Sequence, residues 1–219
     1  IVISGSNNVV AGSFIGTDAT GTGAMGNEGH GIWLVDSSNN LIGGTTEAQR
    51  NIISGNSPSG VILDGASCTG NTIIGNYIGT NAAGTAAIGN AADGISIGGG
   101  ANANTIGGDR TAGYGNVISG NSNDGIEIDN PGADNNKVYG NLIGTDITGD
   151  EILGNGTGIN ITAGPNNTLV GGDTLMARNV IGGSDQAGVE ISGISTDDTQ
   201  VRGNYVGIDP SGTVSLPNR

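Results

Sequence analysis

Asparagine recurs along this chain at almost one interval: Asn8, Asn40, Asn71, Asn104, Asn136 and Asn167 are separated by 32, 31, 33, 32 and 31 residues. A glycine column keeps step with it, since Gly31, Gly60, Gly94, Gly125, Gly158 and Gly188 each precede an apolar-x-apolar triplet such as Ile32-Trp33-Leu34 or Val61-Ile62-Leu63. A period in this range means a solenoid or a propeller, whose units bury their apolar faces only against their neighbours.

The triplets and their flanks predict three short strands per turn, each about four to six residues and rich in Ile and Val. The first type is Gly-Ile-x-Ile; the second and third are Asn-x-Ile-x-Gly, as in Asn71-Thr72-Ile73-Ile74-Gly75 and Asn51-Ile52-Ile53-Ser54-Gly55. Period-two alternation sends the flanking isoleucines inward and the middle residue outward. No segment carries a sustained apolar period of 3.6, so α-helix should be negligible. Glycine and asparagine suit corners that need a left-handed backbone, and each asparagine amide can bond the equivalent one above and below.

A longer period of 63 to 65 residues is superimposed, with matching points at Ile15-Gly16-Thr17, Ile78-Gly79-Thr80, Ile143-Gly144-Thr145 and Val206-Gly207-Ile208. Two coil types therefore take turns. In one, a loop separates the second and third strands (44–50, 172–178); in the other, the loop follows the third strand (17–27, 145–155). The expectation is one all-β domain over 1–219, a right-handed three-faced parallel β-helix of about seven coils of 29–34 residues.

Composition narrows the partners. Six Lys and Arg against 20 Asp and Glu give a net charge of -14, which repels nucleic acid and anionic membrane surfaces. No run of 18 apolar residues exists, so no membrane insertion is expected. The start, Ile1-Val2-Ile3-Ser4, lacks the basic opening of a secretory signal and reads as processed or excised. Cys68 is the single cysteine, which rules out an internal disulfide.

The Gly-Ile-x-Ile, Asn-x-Ile-x-Gly-Asn and Ile-Gly-Thr-Asp-x-x-Gly-Thr elements resemble right-handed parallel β-helix repeat proteins of the secreted and cell-surface kind, with the pectate-lyase-like fold. The resemblance covers essentially the whole chain and implies an extracellular or cell-surface location. It is specific for fold and weak for function, because that architecture hosts pectin-degrading enzymes, uronan epimerases, phage tailspikes and adhesins.

The resemblance places an active groove on an outward strand face. The outward first-strand column reads Trp33, Ile62, Ser96, Glu127, Asn160, Glu190, with a second column Val35, Asp64, Gly98, Asp129, Thr162, Ser192. Glu127 and Asp129 are about 7 Å apart by strand geometry, a spacing that suits an inverting glycosidase pair. With Glu190 two coils on, a Ca²⁺ site is a further reading; a plainly solvated acidic face is the alternative. Trp33 beside Ile62 forms an outward apolar patch, a contact for sugar or a neighbouring chain.

Other candidates weaken when aligned within the repeat. Gly29-His30-Gly31 is similar to the Gly-His-Gly element of polygalacturonases, but His30 shares its slot with Ser59, Asp93, Asp124, Thr157 and Ala187 and reads as one more polar corner residue. Nor does an Arg-Ile-Lys or an Asp-Pro-His motif occur. The Thr-Asp-x-x-Gly-Thr loops carry Asp18, Asp146 and Asp209 as metal candidates, yet Asn81 replaces the acid in one copy, and an Asx turn explains the same residues. On the third face, Phe14, Ile52, Tyr77, Val117, Leu142, Val180 and Tyr205 form an outward apolar stripe, which Met25, Ile88, Leu153 and Leu216 are positioned to cover. Asn155, Asn160 and Asn166 or Asn167 stand in or beside Asn-x-Thr tripeptides that permit glycosylation.

Neither end carries an atypical polar capping unit, so a segment of a longer array, or end-to-end stacking, is expected. The leading functional expectation is a structural or adhesive extracellular rod that self-associates into filaments or continues the same array, with no cofactor. The alternative is a polysaccharide-active enzyme, a lyase or glycoside hydrolase, or a carbohydrate binder, using the first face.

Overall fold

The computed structural model describes residues 1–219. Its strands form three parallel sheets of seven, in which every third strand of the chain pairs with the last of its kind. The first sheet holds Val2–Ile3, Ile32–Val35, Val61–Asp64, Ile95–Gly98, Asp124–Asp129, Thr157–Thr162 and Val189–Ser192. This is a three-sheet parallel solenoid; about six turns separate its first strand from its last, slightly fewer than the seven coils expected. There is no α-helix, only three 3-10 turns at Glu47–Gln49, Arg110–Ala112 and Leu175–Ala177.

Register follows the glycine column. Ile32, Val61, Ile95, Ile126, Ile159 and Val189 pair in line, and Trp33, Ile62, Ser96, Glu127, Asn160 and Glu190 form the outward column beside them. The inward members from Ile32 to Ile161 are fully buried and join Ile42, Ile73, Ile106, Val138 and Val170 of the second sheet and Ile53, Ile78, Ile118, Ile143 and Ile181 of the third. Burial of this apolar column stabilises each coil only through its neighbours. Cys68 lies within the same core, and burial pushes its thiol pKa up.

Strands of the second and third sheets are only two or three residues long, shorter than the four to six expected. Corners at Gly75 and Asn39, for example, adopt positive φ and cut the ladder off after one inward side chain. Three asparagine ladders, not one, then bind the coils at their corners. In the first, Asn8, Asn40, Asn71 and Asn104 each donate both backbone N–H and Nδ2 to Oδ1 of the next, ending on Asn136 at 2.9–3.2 Å. A second runs Asn51, Asn76, Asn116, Asn141, Asn179, Asn204, and a third Asn27, Asn56, Asn90, Asn121, Asn155. Asn167 does not belong to the first: its φ is 56°, its side chain is exposed, and the ladder slot is Thr168. Asn155 is 1 % exposed inside the third ladder, which closes that tripeptide to glycosylation in the folded chain.

The alternation of loops has a steric cause. A loop that leaves a corner and returns is two chains thick, about 10 Å, or two rungs of 4.8 Å. Each long loop therefore occupies the corner of its own coil and of the preceding one, which must turn tightly. Glycines of the tight corners dock onto it: Gly12, Gly75 and Gly140 donate N–H to Gln49, Tyr114 and Ala177, and Gly55, Gly120 and Gly183 donate to Ile88, Leu153 and Leu216. Loops of alternate coils then touch each other, as Ala82 N–H to Gly21 O and Ile147 N–H to Gly84 O, both 2.9 Å, show. Two facing walls of stacked loops result, with the third sheet between them.

Candidate functional site

The first face gathers carboxylates. Glu127 and Asp129 point outward from the strand Asp124–Asp129 and are half-buried, while Glu190 is exposed two rungs on, beyond Asn160. Asp93 and Asp124, read from sequence as polar corner residues alongside His30, are 6 % and 4 % exposed and belong to the same cluster. Their signal was an Asp in one slot of successive coils. Asp93 accepts from Asn123 Nδ2 at 2.8 Å and from the Asp124 N–H, Asp124 accepts from Asn160 Nδ2 at 2.9 Å, and Ser96 Oγ donates to Glu127 at 3.4 Å. Burial, then the charges of Asp93, Asp129 and Asp124, push the Glu127 carboxyl up to about 7. Asp124 and Asp129 are raised as well, burial being the main cause in each. The face thus offers one carboxyl that holds its proton near neutrality beside others that act as acceptors.

His30 sits at the first-face corner, where Ser59 N–H donates to its Nδ1 at 3.4 Å and its ring tilts against Trp33 at 5.9 Å. Burial lowers its pKa, partly offset by Asp93. Trp33 and Ile62 are adjacent in register and half-buried, and the shielded Trp33 Nε1 meets no acceptor.

The loop aspartates serve their own loops. Asp146 Oδ1 accepts from Thr148 Oγ1 at 2.6 Å and from the N–H groups of Thr148, Gly149, Asp150 and Glu151; Asp18 accepts from Thr20 and Thr22. Such bonds, the Ser211 hydroxyl first, hold the Asp209 carboxyl down at about 2. Asn81 Oδ1 makes the same turn, accepting from Thr85 and Ala86. These are Asx turns, and no group of three or more His, Cys, Asp and Glu side chains is disposed to hold a metal ion.

The third face departs from expectation at Met25, which is 71 % exposed; of the other expected covering residues Leu216 is buried and Ile88 and Leu153 are half-buried, and the loop tips Ala82, Ile147 and Pro210 also pack against the stripe. The opposite wall brings arginines. The Arg50 guanidinium lies 4.2 Å over the Tyr77 ring of the next coil, and Arg178 lies 4.8 Å over Tyr205. At the equivalent place between them the sequence has Gly115 and Leu142, so neither the arginine nor the ring is there. A pocket of about 420 Å³ opens at this point, bordered by Arg50, Arg110, Tyr77, Val117, Leu142 and Ile147 among others. No family model, curated protein or solved structure gives a match to this chain.

Proposed function

We propose that this chain is a structural or adhesive extracellular rod of the pectate-lyase-like β-helix type. The observation that carries this reading is the set of three asparagine ladders, which repeat the same axial hydrogen bonds at three corners of successive coils. Buried amides bonded in this way resist both bending and slippage between rungs, which a load-bearing spacer requires. At the last rung the inward Ile191, Val201 and Val206 are exposed, whereas at the first the inward Ile3 and Ile15 are buried. Sedimentation velocity over a wide concentration range, with negative-stain electron microscopy, tests this: rods that lengthen with concentration are expected. A constant monomeric mass at every concentration, together with no adhesion to cell-wall material, would sink it.

A second reading rests on the first face, where Glu127 holds a proton near neutral pH beside Asp93, Asp124 and Asp129. That pairing suits general acid catalysis on, or binding of, a polysaccharide. Incubation of wild type and Glu127→Gln with acidic and neutral polysaccharides decides it: loss of cleavage in the variant supports the reading, and no cleavage, epimerisation or binding in either protein dismisses it.

A further inference from the structure

Three of the six cationic side chains, Arg50, Arg110 and Arg178, stand along one wall of the third-face groove. In a chain carrying 20 carboxylates none of the three is ion-paired; the two salt bridges are Arg202–Asp173 and Arg219–Asp185. Arg50 Nε and Arg110 Nη1 are shielded from solvent and donate to nothing. Shielded guanidinium N–H groups without an acceptor are costly, and an anion placed between them would remove that cost.

Internal repetition says what else belongs there. In the flanking repeats an aromatic ring, Tyr77 or Tyr205, lies beneath a guanidinium. In the central repeat Leu142 is too short to reach, and Arg110 crosses from its 3-10 turn over Gly115, where an added Cβ would meet Arg110 Cγ at 3.3 Å. The guanidinium is therefore supplied, and the ring is not. Tyr77, Val117, Leu142 and Ile147 give the pocket apolar surface, and Thr111 and Thr148 give it hydroxyls.

We propose that this pocket binds a small aromatic carboxylate, its ring taking the place that tyrosine fills in the flanking repeats and its carboxylate accepting from Arg50 and Arg110. The site is independent of the first-face carboxylates and of any assembly into rods. Isothermal titration of the full chain with 4-hydroxybenzoate tests it, with benzyl alcohol and acetate as single-feature controls. Binding should be at least about tenfold tighter for 4-hydroxybenzoate than for either control, because only it satisfies both ring and anion contacts. Arg110→Gln should weaken it about tenfold or more. Leu142→Tyr, which restores the side chain found in the flanking repeats, should abolish it with unchanged thermal stability. No binding of 4-hydroxybenzoate, equal binding of acetate, or binding that survives Leu142→Tyr in a folded protein would each overturn the proposal.

Discussion

Thr168 stands next to Asn136 in the axial column of corner residues, and its fully buried hydroxyl reaches no partner. Asn136 Oδ1 receives both amides of Asn104, but nothing on the far side does the same for Asn136. Thr199, one coil further on, repeats the defect with its own unpartnered hydroxyl. The first ladder therefore ends two rungs before the first sheet does.

Thr168→Asn should extend the ladder and raise stability by about 1 kcal/mol, the usual net worth of an added buried hydrogen bond. Asn104→Ala should cost about 2–4 kcal/mol, since it strips the acceptor from both amides of Asn71. Urea denaturation followed by circular dichroism measures both. A destabilised Thr168→Asn would show that the corner lacks room for the amide.

Glu127 makes stability depend on pH. Its carboxyl is raised from 4.5 to about 7, so the folded state binds the proton more tightly than the unfolded chain. Its contribution is greatest below about pH 4.5 and declines as pH rises towards 7, once other carboxyls are accounted for. Glu127→Gln should flatten this segment of the profile and gain about 1–2 kcal/mol above pH 7, after discounting for solvent screening of a half-exposed group. Melting temperatures of the two proteins between pH 4 and 8 give the answer, and parallel curves would refute it.

Asp146→Asn should fold as well as wild type, because Asn81 closes the same loop with an amide oxygen. Asp146→Ala removes the acceptor shared by Thr148, Gly149, Asp150 and Glu151 and should cost about 1–3 kcal/mol. If the asparagine variant were as damaged as the alanine variant, the negative charge itself would be the required feature.

Gly140→Ala should destabilise by at least about 2 kcal/mol. Its φ is 70°, and a methyl group there collides with the Gly108 carbonyl oxygen. Gly212 has a similar φ of 75° but open space around it, so Gly212→Ala isolates the backbone cost alone. Equal losses at both sites would remove close packing of the tight corner as an explanation.

What could be read from sequence was whatever recurs at constant spacing. Gly31-Ile32-x-Leu34 and its copies fixed the inward and outward columns residue for residue, because alternation leaves one choice per strand. The second ladder was hidden because its intervals swing between 25 and 40 residues as the loop changes corner. Asn167 was misassigned by one position because the left-handed residue before the ladder slot is also often asparagine, as at Asn7, Asn39 and Asn135. Asp93 and Asp124 read in sequence as polar corner residues, since burial beside Glu127 depends on a coil-to-coil contact that no local pattern encodes. The same holds for Arg50 over Tyr77, whose partners come from opposite coil types.

The two-rung thickness of each loop has a consequence for how such a chain can change length. Removing or duplicating one coil would set two bulky loops on adjacent rungs, or two tight glycine corners with nothing to dock on, at both loop-bearing edges at once. Removing or duplicating a pair restores every neighbour. The structural module is thus the doublet of roughly 64 residues, and a change by an odd number of coils would break the alternation of loops on which both edges pack.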